Sequence, residues 1–206
     1  MLWVAIETRG RAAHAGAPDQ GDNAILRMLR VVGHLQSTLD ARLAGRRDGA
    51  MASTINVGMI RGGHNTNVVP SACRVEIDRR LLPNETVGAA FDEIAALVAA
   101  SGEAAGQVTV ERLRGTNGFR APADGPLVSA FSAAIQAASG APPRFLNATG
   151  VSDGRYFADD GIEIVNFGPG AGAQGHAANE SVPIEQLVDA ALIQRDLVAR
   201  LLGLGA

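Results

Sequence analysis

The sequence predicts an α/β protein with a ferredoxin-like domain at residues 1–115, followed at residues 116–206 by part of an α/β domain with a mostly parallel sheet. In the first region, strand and helix patterns follow the order β-α-β-β-α-β, which is that of the split-βαβ sandwich. In the second, helical patterns alternate with short apolar runs, as they do around parallel sheets. Almost half of the residues are apolar and few are aromatic, so we expect an aliphatic core.

Four strands of the first region are predicted from alternating or β-branched residues, at 2–8, 53–60, 69–80 and 107–113. In the second strand, Ile55, Val57 and Met59 are expected on one face. In the third, apolar residues alternate with charged ones, the last of which is Arg80. A turn rich in glycine and asparagine, residues 61–67, suits a hairpin-type connection between these two strands. We therefore expect an antiparallel sheet with both helices on one face.

The two helices of the first region are predicted from apolar residues at helical spacing. Asp22 can cap the first helix, whose apolar stripe begins at Ile25 and includes Leu29. Asn84 can cap the second helix, whose stripe begins at Val87.

The second region is predicted to contain three helices, at 126–138, 152–158 and 184–202, with short strands near Phe145 and at 162–166. The last helix has a broad apolar surface, which two short strands cannot cover. A two-stranded sheet is also only marginally stable in water. We therefore expect this region to belong to a larger sheet whose other strands lie outside this sequence.

Composition excludes several classes of function. The net charge of -3 provides no basic field to attract nucleic acid or an anionic membrane. No apolar run approaches the roughly 20 residues of a membrane span. The single cysteine, Cys73, excludes an internal disulfide. The first residues lack the basic flank and cleavage site of a signal peptide. These observations predict a soluble, cytoplasmic protein.

A glycine-rich loop at 166–180 contains His176 and precedes the last helix. Glycines let the backbone approach a ligand closely, and neutral imidazole is a common metal ligand. His176 is therefore either a metal ligand or an ordinary surface histidine. A catalytic zinc needs about three protein ligands plus water. The chain offers one plausible histidine for this purpose, so it cannot hold a catalytic zinc alone.

Four other residues have both a functional and a structural interpretation. His14 follows the first strand in a strand-to-turn passage, where a structural role is the more common one. Asn67 lies in a turn that needs asparagine for its own geometry. Arg80 ends a strand on its charged face, where a guanidinium is either solvated or available to bind a carboxylate. Gly150 lies in a polar turn that is either an anion site or a helix cap.

Four segments together resemble the zinc-dependent amidohydrolases and peptidases that include acetylornithine deacetylase, succinyl-diaminopimelate desuccinylase, aminoacylase and carboxypeptidase G. The segments are 10–18, 62–70, 149–155 and 168–180, and they match in order over essentially the whole chain. Each motif is weak alone, but together they are specific. The split-βαβ order is also that of the dimerisation, or lid, domain of this family.

The resemblance implies a role for each candidate residue. His176 corresponds to a ligand of one of two zinc ions. His14 corresponds to the lid histidine that reaches into the partner subunit's site and donates a hydrogen bond to the oxyanion of the tetrahedral intermediate. Asn67 and Arg80 correspond to lid residues that hold the substrate carbonyl and carboxylate. Gly150 corresponds to backbone that holds the substrate.

The chain also departs from the family pattern. The His-x-Asp ligand motif, the bridging aspartate and the Glu-Glu pair that supplies the general base are absent. Val151 stands where desuccinylases have a hydroxyl-bearing residue, which argues against that substrate.

Our first hypothesis is therefore the C-terminal half of a di-zinc amidohydrolase that cleaves an N-acyl amino acid or a dipeptide-like substrate. By itself, this half is expected to be inactive and not to retain zinc. The alternative is a non-catalytic homodimerisation module that pairs through residues 1–115. A small-ligand sensor is a third and weaker option.

Overall fold

The computed structural model describes residues 1–49, 51–147, 150–158, 160–170, 175 and 178–204. The chain divides into two compact units. Unit 1 comprises Met1–Gly118 with Asn147–Thr149, and unit 2 comprises Phe119–Leu146 with Gly150–Ala206. Each unit has its own apolar core.

Unit 1 contains a four-stranded antiparallel sheet in the order β4-β5-β1-β6. Its strands are β1 (Leu2–Arg9), β4 (Thr54–Gly62), β5 (Ala72–Arg80) and β6 (Val108–Gly115), and a short hairpin of β2 (Arg47–Asp48) and β3 (Met51–Ala52) precedes β4. With one helix after β1 and another after β5, the predicted β-α-β-β-α-β order and antiparallel sheet are observed. The prediction of a mixed α/β protein is confirmed.

Two helices, α1 (Ala24–Leu43) and α2 (Val87–Ala99), pack on the same face of this sheet. Both begin at caps that differ from the predicted ones. Asn23 caps α1, since its side chain accepts hydrogen bonds from two amides of the first turn. Asp22 instead forms an ion pair with Arg27. Thr86 caps α2, because Asn84 lies in the preceding turn.

The core of unit 1 lies between the sheet and the helices. The strands and helices contribute buried apolar side chains, among them Leu2, Val4, Ile6, Met28, Leu35, Val75, Ile77 and Ile94. The opposite face of the sheet is charged, as the alternation in β5 predicted. The predicted stripe of α1 is wrong at Leu29, which is 56% exposed, because the buried face is rotated towards Val31.

A β-bulge interrupts β4 between Val57 and Met59. Val57 pairs with Ile77 on the core side, whereas Met59 pairs with Glu76 on the charged side. The extra residue shifts the alternation by one position. The prediction that Met59 shares a face with Ile55 and Val57 is therefore wrong.

Arg79 is fully buried at the end of β5 that is remote from the β4–β5 loop. Its guanidinium donates to Glu85, with 2.8 Å between Nη2 and Oε1. Glu85 also accepts hydrogen bonds from the Ser53 hydroxyl and from the Leu82 amide. Burial acts to raise the pKa of Glu85, but these hydrogen bonds and the Arg79 charge outweigh it, so the pKa lies below its ordinary value.

Unit 2 contains three helices, α3 (Pro126–Ser139), α4 (Arg155–Ala158) and α5 (Ile184–Leu201). Helices α3 and α5 pack against each other. Their contact buries Phe131 and Ala134 of α3 against Ile193 and Leu197 of α5. The Phe131 ring also lies 5.2 Å from the ring of Phe167, measured between centroids.

The strands predicted near Phe145 and at 162–166 do not form among the described residues. Both segments lack a neighbouring strand there, and a strand needs a partner to satisfy its backbone groups. Within the second segment, Glu163 instead accepts a hydrogen bond from the first turn of α3, with 2.8 Å between Leu127 N and Oε2. The predicted parallel sheet is therefore not seen in the described part of unit 2.

Helix α5 has an exposed apolar surface in addition to its buried one. In agreement with the broad apolar surface predicted for this helix, the exposed apolar residues are Ile184, Leu187, Val188, Leu192, Val198 and Leu201. Only Ala190, Ile193 and Leu197 of α5 are buried. Across the described ranges, no helix has both the length and the apolar character that crossing a membrane requires.

We expect Glu85→Gln to destabilise unit 1 by about 3 kcal/mol, because it leaves the buried Arg79 charge without its counter-charge. Urea unfolding at neutral pH measures this change. The pKa of Glu85 is lowered in the folded state, so its contribution is present above its unfolded pKa and is lost as pH falls through the folded pKa. The difference between the wild-type and variant proteins should therefore shrink below about pH 5.

Glu111→Gln is the matched control. Glu111 is 64% exposed and pairs with Arg74 at 3.4 Å, so its loss should change stability by less than about 1 kcal/mol. Equal stabilities for the two variants would contradict the importance of the buried pair.

Candidate functional site

The segment that follows β1 is hydrogen-bonded to the residues just before α1. Arg11 and Asp22 exchange two backbone hydrogen bonds, at 2.9 and 2.8 Å. Gly10 lies so close to this pair that a Cβ there would be 2.0 Å from the Asp22 carbonyl oxygen. Glycine is therefore required at position 10 by the close approach of two backbone segments.

His14 and Asn67 are brought together by a short antiparallel contact between this segment and the β4–β5 loop. The Ala15 amide donates to the Asn67 carbonyl at 2.9 Å, and the Val69 amide donates to the Ala13 carbonyl at 2.8 Å. These bonds flank an isolated bridge between His14 and Val68. The two motifs, far apart in sequence, are thus held side by side at one end of the sheet.

The His14 side chain is exposed, and one of its nitrogens is already occupied. Its Nδ1 accepts a hydrogen bond from the Gly16 amide at 3.0 Å. Among the residues that the structure describes, no group hydrogen-bonds to Nε2. Asn67 is likewise exposed. Both side chains are therefore available to a ligand from outside unit 1.

A groove of about 600 Å³ lies beside these residues. It is lined by the β4–β5 loop, by the segment after β1 and by the start of α1, including His64, Thr66, Ala15, Asn23 and Ile25. Its walls combine glycine backbone with small polar and apolar side chains, so it can admit an uncharged or weakly polar group.

A buried ion network supports the base of the His14 segment. Arg27 is nearly buried, and it donates to Asp22 and to Glu103, each at 2.8 Å. It also donates to the Arg9 carbonyl, where β1 ends. Hydrogen bonds from Arg30 and Arg27 hold the pKa of Glu103 below its ordinary value, against the opposing effect of burial. Arg27 therefore joins the end of β1 to the residue that pairs with Arg11.

Arg80 lies at the opposite end of β5 from Asn67. The strand is nine residues long, so its ends are about 27 Å apart at about 3.4 Å per residue. The Arg80 guanidinium pairs with Asp78 at 3.0 Å on the charged face of the sheet. In unit 1 of a single protomer, Arg80 therefore lies at the opposite end of the sheet from His14 and Asn67.

Of the two candidates in unit 2, the structure describes only Gly150. Gly150 is exposed, and a Cβ there would meet no atom within 4 Å. His176 lies outside the described residues, as does Thr149 of the same motif as Gly150. Within the described ranges, no cluster of histidine, cysteine and carboxylate side chains could hold a metal ion. Those residues therefore do not fit a zinc site.

Sequence reasoning missed the residues that hold His14 in place. Gly16 and Arg27 were not singled out, although their contacts fix the segment on both sides of the histidine. Glycines on both sides of His14, at positions 10 and 16, could have indicated that other groups pack closely against the backbone there. A buried arginine in the first turns of a helix leaves no comparable signal, because most such arginines are solvated.

Comparison with known proteins places these observations in a family. The M20-type family described as the peptidase dimerisation domain matches residues 1–105. Acetylornithine deacetylase from Myxococcus xanthus is 29% identical over 204 residues, which cover 96% of this chain and 52% of that protein. A putative succinyl-diaminopimelate desuccinylase, DapE, from Mycobacterium tuberculosis is 29% identical over 209 residues, which cover 98% of this chain and 52% of that protein.

Solved structures agree with the fold. The aminopeptidase PepT from Bacillus cereus superposes with a TM-score of 0.72 at 26% identity, covering 96% of this chain and 50% of that protein. The chain thus spans about half the length of the curated relatives it matches.

We expect Gly10→Ala to destabilise unit 1 by about 1–3 kcal/mol, because the added methyl group overlaps the Asp22 carbonyl. Urea unfolding measures the loss, and amide chemical shifts should change mainly around His14. Gly33→Ala is the matched control, since a Cβ at this mid-helix position meets nothing within 4 Å. It should stabilise the protein by up to about 1 kcal/mol. A Gly10→Ala protein with wild-type stability would show that the close approach does not constrain the loop.

Proposed function

The chain belongs to the M20-type peptidase dimerisation domain family, and on that basis we propose that it is the lid and C-terminal part of a di-zinc amidohydrolase. The proposed reaction is hydrolysis of the amide bond of an N-acyl amino acid or a dipeptide-like substrate. The observation that carries this proposal is the pairing of the His14 segment with the Asn67 loop, which presents two exposed polar side chains at one end of the sheet.

In this proposal, His14 and Asn67 bind the carbonyl oxygen of the scissile amide. Hydrolysis converts this oxygen to an oxyanion, and hydrogen-bond donors held in place for it lower the barrier. Both side chains can donate: the His14 imidazole through Nε2 and the Asn67 amide through its NH₂ group. Neither residue is needed as the base, which in the family is supplied by a glutamate that has no counterpart in this chain.

Arg80 is proposed to bind the substrate carboxylate, but at a different site from that of the same protomer's His14. A dipeptide spans about 7 Å, which is far less than the length of β5. One small substrate therefore cannot contact both ends of one sheet. We propose that Arg80 of one protomer and the His14–Asn67 end of the other serve the same substrate.

Zinc, when bound in the complete protein, would polarise the amide carbonyl and activate water. His176 is proposed as one ligand, and Gly150 as substrate-binding backbone. Because the described residues contain no metal-binding cluster, the remaining ligands would have to come from elsewhere. The exposed apolar side of α5 supports the same view, since such a surface is typical of an element that packs inside a larger domain.

We expect the chain alone to show no turnover of N-acetylornithine or N-succinyl-diaminopimelate in the presence of zinc, and not to retain zinc after dialysis. Amine release and elemental analysis measure the two outcomes. Turnover by the chain alone would contradict the proposal that the zinc ligands and the base are missing.

A fusion to the other half of Myxococcus xanthus acetylornithine deacetylase tests the residue roles. If it hydrolyses N-acetylornithine, His14→Asn should lower kcat by about 10²–10³, as the loss of an oxyanion donor does. His34→Asn, in the middle of α1, is the matched control and should leave kcat unchanged. Equal rates for the two variants would exclude His14 from the reaction.

The second candidate function is homodimerisation without catalysis, through residues 1–115. Strand β4 lies at one edge of the sheet, and α1 packs beside it. On the flank of α1 that lies over the end of β4, Ile25 is followed by Leu29, which is 56% exposed, and the neighbouring Leu26 is 54% exposed. An edge strand next to an exposed apolar helix face is suited to a two-fold interface.

Light scattering should therefore show a dimer, and Leu29→Arg should convert it to a monomer by placing a charge in the apolar contact. Leu113→Arg is the matched control, because Leu113 is 38% exposed on β6, at the other edge of the sheet. A wild-type protein that is strictly monomeric would remove this candidate. It would also remove the proposed sharing of sites between protomers.

A further inference from the structure

Gly16 makes the hydrogen bond that determines how the His14 imidazole can act. Its amide donates to Nδ1 at 3.0 Å. The orientation of this amide is fixed on both sides, because the Ala15 amide donates to the Asn67 carbonyl and the Ala17 amide donates to the His14 carbonyl, each at 2.9 Å. The hydrogen bond from the Ala15 amide to the Asn67 carbonyl thus also fixes the direction of the neighbouring Gly16 N–H group.

A neutral imidazole has one nitrogen that donates and one that accepts. Since Nδ1 accepts from Gly16, the ring proton lies on Nε2. That nitrogen has no partner among the described residues, and the side chain is exposed. The free nitrogen is therefore a donor. In this tautomer it has no lone pair with which to remove a proton or to bind a metal ion.

We infer that Gly16 is a positioning residue that holds His14 in the Nε2–H tautomer, so that His14 acts only as a hydrogen-bond donor to a ligand oxygen. The inference rests on the proposed function for the identity of that oxygen, the carbonyl of the substrate amide. It restricts the partners of Nε2 to groups that present a hydrogen-bond acceptor, such as a carbonyl oxygen. Ammonium groups and other pure donors are excluded as partners of Nε2.

The contact also explains why glycine occupies position 16. Gly16 does not have a positive φ, so backbone conformation does not demand glycine there. A Cβ at this position would instead lie 3.0 Å from Nδ1 and 3.4 Å from Cε1 of His14. The 3.0 Å distance to Nδ1 is tighter than an ordinary contact, so one of the two groups would have to move by a few tenths of an ångström. Because the imidazole is exposed, it is the group that would move, and its hydrogen bond to the residue 16 amide would be lengthened and weakened.

The test is NMR spectroscopy of the uniformly ¹⁵N-labelled chain at about pH 8.5, a pH chosen to observe neutral imidazole. Long-range ¹H–¹⁵N spectra, assigned with His14→Asn, should show a protonated Nε2 and an unprotonated Nδ1 in His14. A scalar coupling should connect Nδ1 to the Gly16 amide nitrogen across the hydrogen bond. Gly16→Ala should weaken this coupling and raise the population of the other tautomer.

Gly88→Ala is the matched control, because a Cβ at Gly88 in α2 meets no atom within 4 Å. It should retain the wild-type tautomer and coupling. A wild-type His14 that is protonated on Nδ1 or is a mixture of tautomers would overturn the inference, and so would an unchanged coupling in Gly16→Ala. The wild-type spectrum decides the question even if that variant fails to fold.

The hydrolysis assay on the fusion protein separates this inference from the proposed function. If the tautomer is mixed but His14→Asn still lowers kcat, the role of Gly16 is wrong and the proposed reaction stands. If the tautomer is fixed but the fusion does not hydrolyse N-acetylornithine, the proposed reaction fails and the role of Gly16 stands.

Discussion

Unit 1 depends on one apolar layer between a four-stranded sheet and two helices. Side chains from alternate positions of the strands, such as Val4 and Ile77, meet Met28 and Ile94 from the helices in this layer. Burial of each large aliphatic side chain contributes about 1.5–3 kcal/mol. Because a shift of one residue would turn a strand's apolar side chains away from the helices, the layer also fixes the register of the sheet. The position of the site follows from this register.

The site is an extension of the sheet rather than a separate structure. Strands β1 and β5 are paired up to Arg9 and Ala72, and their pairing resumes beyond the sheet at His14 and Val68. This arrangement places two exposed polar side chains on backbone that is hydrogen-bonded to its neighbour. A hydrogen-bond donor binds its ligand more strongly when the backbone that carries it is already ordered. A mobile side chain would have to lose conformational entropy on binding, which would weaken the interaction.

Much of unit 1 could be predicted from the sequence, because its strands and helices have strong periodic patterns. The errors have specific causes. The bulge at Gly58 moves Met59 to the other face, and its signal in the sequence is the glycine itself, which the alternation of apolar residues does not reveal. Two caps were displaced because neighbouring polar residues compete for the same role, as Asp22 and Asn23 do. The buried pair of Arg79 and Glu85 could not be predicted, since charged residues are usually solvated.

The candidate site was predictable only in part. The proximity of His14 and Asn67 depends on long-range pairing, which no single segment reveals. The separation of Arg80 from them follows directly from the length of β5, once the strand is known. In unit 2, short apolar segments predicted strands that do not form among the described residues. Periodicity shows that such a segment prefers burial, but it does not supply the neighbour that completes its hydrogen bonds.

The central place of β1 in the sheet has a consequence for how the chain folds. Leu2 pairs with Arg79 on one side and with Gly115 on the other, so β1 can complete its pairing only after both of these later segments are available. Contacts of such long sequence separation slow folding, and an unpaired apolar strand is prone to aggregate in the meantime. Early formation of α1 would reduce this risk of aggregation, because α1 packs on one face of β1 and covers its apolar side chains.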